Sequence, residues 1–504
     1  MSLSISKIDF FYFKMDFLEN QLKLMRNELN KKSKCEFKKI PGRFRWVAEE
    51  PCEWNIVRFE PDNYDLWDSW MDDEEFMTTG NGKVLLQTKR CIFYFKGKWT
   101  DDRDLFTCPQ DDYQFARFKQ CVEDLRNPKN WTWAVSKLFL KGVQGSSTMI
   151  DNNKCIPDFK VGSINVIVGT PGAGKSTFCA EFVKKKSIKY KMLYVGPAHT
   201  NVNGFVRKIA DLGVESFAVL SDEAKLESDL RKYHNSNMKN FNPKKKNLIL
   251  ADKQVTISTI NKPIKSPKDS GIQIIIVDEA TRVSLLEVLT FIYRFSDLLC
   301  VILAGDPKQL GARIGQNDVT DAMRFTLNHG EAKIWNLFKQ YRFGKTVNDV
   351  LSPLFYGNRM VAISQRRSTL NWIVLKSCKC DSSEKIGCDR EVSIALAIYK
   401  LLGPNSRMIL TPYKGQIEKV LSKDPSVNIK TVDTAQGDEY DQVVFSFGRH
   451  SGRGFISDQR INVGLSRARQ SVHVIINEKI LKSFPKLNQI IKTVEKKGYV
   501  NYIP

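Results

Sequence analysis

The sequence predicts an α/β protein with two tandem parallel-sheet units behind an N-terminal region of different character. Three observations predict it. Short Val/Ile-rich runs, "INVIVG", "KMLYVG", "IQIIIVDEA" and "LLCVILAGD", alternate with helical patterns after residue 158. Such continuous apolar strands are those of a parallel sheet covered on both faces. A second series, "SRMILTPY", "IKTVDTAQG", "DQVVFSFG" and "HVIINE", occupies the last third of the chain. Before both, the composition changes: seven of the nine Trp precede Ala134, and a basic run over 31–46 is followed by an acidic one over 62–76. The expected divisions are an accessory domain over 1–157 and α/β domains over 158–330 and 331–504.

The N-terminal region carries no nameable motif. Its basic residues interleave with Phe37, Phe44 and Trp46, which reads either as a stacking surface for single-stranded nucleic acid or as a solvated basic face over core aromatics. The whole chain points the same way as the first reading. Its 504 residues hold 78 Lys and Arg against 56 Asp and Glu, a net charge of +22, which attracts a polyanion through counterion release. Eleven cysteines are scattered without paired C-x₂-C spacing, as expected of free thiols in a reducing compartment. No secretory signal opens the chain, and its most apolar later stretch carries Glu287, Arg294 and Asp297, which excludes a membrane span there. The expected location is the cytoplasm, with the nucleus as the alternative.

The first α/β unit opens on its chemistry. "INVIVGTPGAGKSTF" reads as strand, glycine-rich turn and helix. Gly169, Gly172 and Gly174 free the backbone to turn its N–H groups onto a phosphate. Lys175 adds a point charge, and Ser176, with Thr177 beside it, a hydroxyl for Mg²⁺. The helix N-terminus adds a favourable dipole. The expected ligand is a nucleoside triphosphate.

Two later strands end in groups suited to that ligand. Asp278 is placed to hold Mg²⁺ beside Ser176, and Glu279 to act as base for an attacking water. In "LAGDPKQL", the Gln309 amide both donates and accepts, which suits a sensor of the γ-phosphate. The second unit supplies the opposite charge. Arg342 in "QYRFG" and Arg467 in "NVGLSRAR" can neutralise charge on the γ-phosphate, and Tyr341 can stack on a base. In "TAQGDEYD", Gly437 permits close backbone approach and Glu439 can accept from a ribose hydroxyl.

In this order, the P-loop, "VDEA", "GDPKQL", "QYRFG", "FYGNRM", "ILTPYKGQ", "TVDTAQGDEYD" and "RINVGLSRAR" resemble the superfamily 1 helicases over about residues 159–480. The wording is similar to the branch shared by RNA-surveillance helicases and those of positive-strand RNA viruses, nidoviruses included, and suits a virus-encoded enzyme. The resemblance implies two RecA-like domains closing on ATP, or another NTP, with Mg²⁺. It also implies that Lys175 and Ser176 contact phosphates and metal, Asp278 the metal and Glu279 the water, with Gln309, Arg342 and Arg467 around the γ-phosphate. Pro197 and Thr200 would touch a nucleic-acid strand, single or partly duplex, with RNA favoured. Viral replication or transport proteins are the implied partners. The stretch before the first strand, "CIPDFKVGS", lacks the glutamine by which relatives read adenine, and Cys35, Cys52, Cys91, Cys108 and Cys121 do not reproduce the nidovirus zinc domain. Alternatives to an unwinding enzyme are a helicase-like movement protein and a P-loop switch.

Overall fold

In a computed structural model the described residues are 160–503, apart from 221–225, 234–252, 261–270, 315–316, 377–386, 404–405, 450–453 and 496–499, together with segments of the region before 160. Of these earlier segments, the strands between 39 and 109 and that at 147–149 are described as backbone alone. The side chains of Phe37, Phe44 and Trp46, the cysteines 35, 52, 91 and 108, and Cys378 and Cys380 lie outside the described residues.

Two parallel sheets form the body of the molecule, as the apolar runs predict. The strands of the first are β1 (Ser147–Met149), β2 (Ser163–Gly169), β3 (Met192–Gly196), β4 (Phe217–Leu220), β5 (Val255–Thr259), β6 (Ile274–Val277), β7 (Cys300–Gly305) and β8 (Lys333–Leu337). They lie in the order β4-β5-β3-β6-β7-β2-β8-β1, every pair parallel. Strands β3 to β7 are buried at every position, the signature of a sheet covered on both faces. The second sheet holds β9 (Thr369–Leu375), β10 (Arg407–Thr411), β11 (Ile429–Thr431), β12 (Tyr440–Ser446), β13 (Ala468–Asn477) and β14 (Val500–Ile503). Its order is β11-β10-β12-β13-β9-β14, again all parallel.

The first sheet crosses both boundaries expected from sequence. β1 lies before residue 158 and β8 after 330, and β8 sits between β2 and β1. A buried polar group explains part of this closure. Asn165, fully buried in β2, accepts a hydrogen bond from Trp335 Nε1 of β8 at 3.1 Å and donates to Cys300 Sγ of β7, so an amide that would be costly alone is satisfied from both neighbours.

The region before 158 is likewise not wholly separate. Its strands form two antiparallel sheets of three and four strands, a different class from the two parallel sheets. Its helices instead share the core of the first parallel sheet. Phe118, Cys121, Val122 and Leu125 of the helix Asp111–Leu125 and Ala134, Val135 and Leu138 of the helix Trp133–Phe139 pack with Leu286, Leu289 and Val301. Trp133 Nε1 donates to the Leu298 carbonyl at 2.6 Å. No helix among the described residues is long and apolar enough to cross a membrane.

Candidate nucleotide site

The glycine-rich turn leaves β2 and feeds α1 (Lys175–Lys186), whose N-cap Gly174 has φ 80°. Gly172, at φ 72°, has a second constraint: a Cβ there would lie 2.6 Å from Arg342 Cβ. The turn is thus built against the segment that carries Tyr341 and Arg342, and Tyr341 N donates to the Gly172 carbonyl at 2.9 Å. Lys175 is folded back, its Nζ donating to the Gly169 carbonyl at 2.9 Å and the Thr170 carbonyl at 3.4 Å. These backbone acceptors keep a nearly buried ammonium satisfied.

At the end of β6, Asp278 is 1% exposed. Its Oδ2 accepts from Ser176 Oγ at 2.6 Å and from Tyr194 O–H of β3 at 2.9 Å, and its Oδ1 from the Glu279 amide at 2.9 Å. Burial, with the charge of Glu279 adding to it, still pushes this carboxyl above the ordinary range. A dry carboxylate beside a hydroxyl is an all-oxygen donor set that fits a hard divalent cation, so Ser176 and Asp278 would hold Mg²⁺, which supplies charge neutralisation at phosphate oxygens. Thr177 is exposed and is not brought to this group. Glu279 has φ 48°, a left-handed conformation costly for a residue with a side chain and typical of functional positions.

The second half meets these groups directly. Gln309 is 2% exposed; its Nε2 donates to Asp306 Oδ2 at 3.1 Å and its Oε1 accepts from Arg467 Nη2 at 3.4 Å. Arg467 lies just beyond α8 (Asp458–Leu465) and donates also to the Val463 carbonyl at 3.1 Å and to Ser466 Oγ. Burial first, and the neighbouring Arg342 next, pull its guanidinium down to about 10. Gln436 donates to Glu279 Oε2 at 3.5 Å, and its carbonyl accepts from Arg282 at 3.4 Å. Glu279, Gln309, Arg342 and Arg467 therefore border one cleft between the sheets.

Glu439, expected to accept from a ribose hydroxyl, is held here by two arginines. Arg342 Nη2 holds its Oε1 at 2.6 Å and Arg469 Nε its Oε2 at 3.3 Å. The Arg342 charge, chiefly, holds the carboxyl down at about 2. Two guanidinium groups outcompete a neutral hydroxyl for the same oxygens, so in this state Glu439 orients Arg342, which also donates to the Ser466 carbonyl at 2.8 Å. Tyr341 is 37% exposed. Gly437 has φ 94°, and a Cβ there would lie 3.3 Å from Asn201 Nδ2, so its close approach is to α2 (His199–Asp211) of the first half. At the start of that helix Thr200 is exposed and the preceding Pro197 half-buried.

Two family models, each described as an AAA domain, match residues 160–314 and 320–479. A DNA replication ATP-dependent helicase/nuclease of Gallus gallus is 24% identical over 378 residues, 67% of this chain and 37% of that protein. The regulator of nonsense transcripts 1 of Dictyostelium discoideum is 28% identical over 270 residues, 44% of this chain and 20% of that protein. These matches make the chain similar to the superfamily 1 helicases. It spans about a third of the length of the first of these relatives. An arterivirus nonstructural protein 10 (helicase) covers 88% of this chain and 78% of its own length at 14% identity and a TM-score of 0.41, too loose a likeness to argue from.

Several residues of the site escape a reading of the sequence. Tyr194 is one. Tyr356, at the end of α5 (Lys345–Phe355), is another: its O–H donates to Asp306 Oδ2 at 2.7 Å and accepts from Asn462 Nδ2 at 2.7 Å, while Asn462 donates also to the Lys308 carbonyl at 3.0 Å. This buried chain joins the "GDPKQL" turn to α8. At the rim, Arg460 grips Asp433 through two contacts of 2.8 Å and lies 3.5 Å from the Phe455 ring centroid. Tyr356 lies within "FYGNRM", Asp433 within "TVDTAQGDEYD", and Arg460 and Asn462 within "RINVGLSRAR", but those stretches alone do not declare these contacts.

Proposed function

We propose that the protein hydrolyses a nucleoside triphosphate, ATP in the first place, in this cleft and uses the resulting opening and closing to move along and unwind nucleic acid, with RNA the favoured strand. The observation that carries the reading is the direct meeting of Gln309 from the first sheet with Arg467 from the second, beside the Ser176–Asp278 pair. A γ-phosphate bound there would be the shared partner of both halves, and its loss would release the guanidinium groups from their anion.

The roles derive from position. Ser176 and Asp278 hold the metal, Glu279 takes a proton from water, and Gln309 orients that water. Arg342 and Arg467 neutralise the charge that develops on the transferred phosphoryl group. Three buried polar atoms on residues lining the cleft, Thr170 Oγ1, Arg342 Nε and Gln436 Oε1, lack hydrogen-bond partners among the described residues, as groups awaiting a polar ligand do. Strand contact is assigned to the surface beginning at Pro197 and Thr200, and the net charge of +22 supports a polyanion there. We place this activity in the cytoplasm, in viral replication or RNA metabolism; the wording of "AGDPKQL" supports a viral source.

The test is NTP hydrolysis by purified protein with single-stranded RNA, single-stranded DNA or neither, with Glu279→Gln as the blank. Strong stimulation by a strand is expected, RNA above DNA. Hydrolysis indifferent to any strand would overturn translocation, and equal hydrolysis by Glu279→Gln would overturn the site.

A further inference from the structure

We infer that Arg324 is a positioning residue for Gln309: from the first turn of α4 (Ala322–His329) it holds the 306–310 turn in the shape that presents the Gln309 amide to Arg467. The inference rests on the proposed hydrolytic role of the cleft and extends it to a residue outside that cleft.

One guanidinium makes four contacts there. Arg324 Nη2 donates to the Gln309 carbonyl at 2.6 Å and to the Pro307 carbonyl at 2.7 Å, and Nε to the Pro307 carbonyl at 3.2 Å. Nη1 is fixed by Asp321 Oδ2 at 2.6 Å, while Asp321 Oδ1 caps the helix by accepting from the Arg324 amide at 2.7 Å. Asp321 is itself 2% exposed. The planar fork is thus held on one edge by an ion pair and reads two backbone carbonyls with the other, a geometry that a lysine ammonium cannot reproduce.

The start of α4 is in turn tied to the other loop of the site. Leu285 N donates to the Thr320 carbonyl and Ala322 N to the Val283 carbonyl, both at 3.0 Å, so the segment just after Asp278 and Glu279 sets the height of the helix. A Cβ on Gly305 would lie 2.8 Å from Met323 Sδ and 3.3 Å from the Ala280 amide; helix, base-bearing loop and Gln309 turn are in close contact. Gly311 keeps the guanidinium's space open, since a Cβ there would lie 2.9 Å from Arg324 Nη1. The side chain lines a cavity of about 510 Å³, with Gln459 of the second half in its wall. Replacing it therefore enlarges a space that is already open, rather than emptying a core.

The tests are steady-state hydrolysis and amide exchange in Arg324→Met, Arg324→Lys, Gln309→Ala and the Arg324→Met/Gln309→Ala pair. Arg324→Met should lower kcat by about 10-fold or more with KM little changed, since small misplacements of a reacting group carry such losses. In the Gln309→Ala background the same change should cost nothing further, because a residue that acts through Gln309 has nothing left to position. An equal loss with and without Gln309, or no loss in an active protein, would overturn the inference. Amide exchange over 306–310 needs no turnover. It should quicken in Arg324→Met and, more weakly, in Arg324→Lys, which serves if the Met variant does not fold. Unchanged exchange would overturn the inference even in a protein that hydrolyses nothing, whereas absent hydrolysis by the wild type with quickened exchange in the variant would instead sink the hydrolytic reading.

Discussion

The two parallel-sheet halves solve opposite electrostatic problems. The first buries acids at its strand ends: Asp278 and Asp306 are each 1% exposed, and burial pushes both carboxyls above their ordinary range. The second buries bases, with Arg467 2% exposed and its guanidinium drawn down to about 10. Each half thus holds charge that its own surroundings disfavour. A metal-bound polyphosphate answers both, the cation meeting the acids and the anion the arginines. The difference teaches why the proposed ligand would need both halves.

The largest break in this asymmetry is at Lys175, the cation of the glycine-rich turn. Lys175→Ala should abolish hydrolysis while leaving the thermal unfolding midpoint unchanged; persistent turnover would remove the P-loop from the site. Next is a base of the other half. Arg342→Ala should slow kcat by about 10³-fold or more, the scale of a guanidinium acting on a phosphoryl transition state, with nucleotide affinity little changed. Equal losses in both would mean that Arg342 binds the ground state.

The second half also contains an exception that sharpens the contrast. Glu391, on α6 (Asp389–Leu401), is fully buried and accepts from Ser446 Oγ at 2.6 Å and Gly448 N at 2.7 Å. Burial raises its carboxyl from 4.5 to about 7. The folded state therefore holds a proton that the unfolded chain has lost between those values, and stability should fall as pH rises through that window, by on the order of 3 kcal/mol at most. Urea unfolding between pH 5 and 7.5 checks this: Glu391→Gln should flatten the slope, and an unaltered slope would assign it to other groups. A smaller effect is expected from Tyr356→Phe, which removes one hydroxyl from the Asp306–Asn462 chain and should cost about 1 to 2 kcal/mol, with strand-stimulated hydrolysis falling more than basal hydrolysis. Equal falls would mean that Tyr356 does not link the halves.

Much of this was legible in the sequence where residues declare their surroundings. Continuous runs such as 274–277 read as strands covered on both faces, and they are. The P-loop glycines, Asp278 and Gln309 were legible because their chemistry dictates both residue type and spacing. The strands at the first sheet's far edge were not. β8 is only partly buried along its length, and β1 joins it from a point far upstream, so neither carries a periodicity that a local reading can use. Tyr194 and Tyr356 resemble core aromatics until their hydroxyls are seen on buried carboxylates. Glu439 is legible as an acceptor, but the guanidinium groups that claim it come from residues 342 and 469, and only the fold brings these together.

The central claim is that the second half's arginines recognise phosphate charge presented by the first. It is tested most directly by comparing affinity for ADP with affinity for Mg²⁺·ADP·fluoroaluminate, a mimic of the transferred phosphoryl group, in the wild type and in Arg467→Met. The wild type should bind the mimic much more tightly than ADP, an advantage lost in the variant while ADP affinity and the unfolding midpoint hold. An advantage of equal size in a folded Arg467→Met protein would contradict the claim.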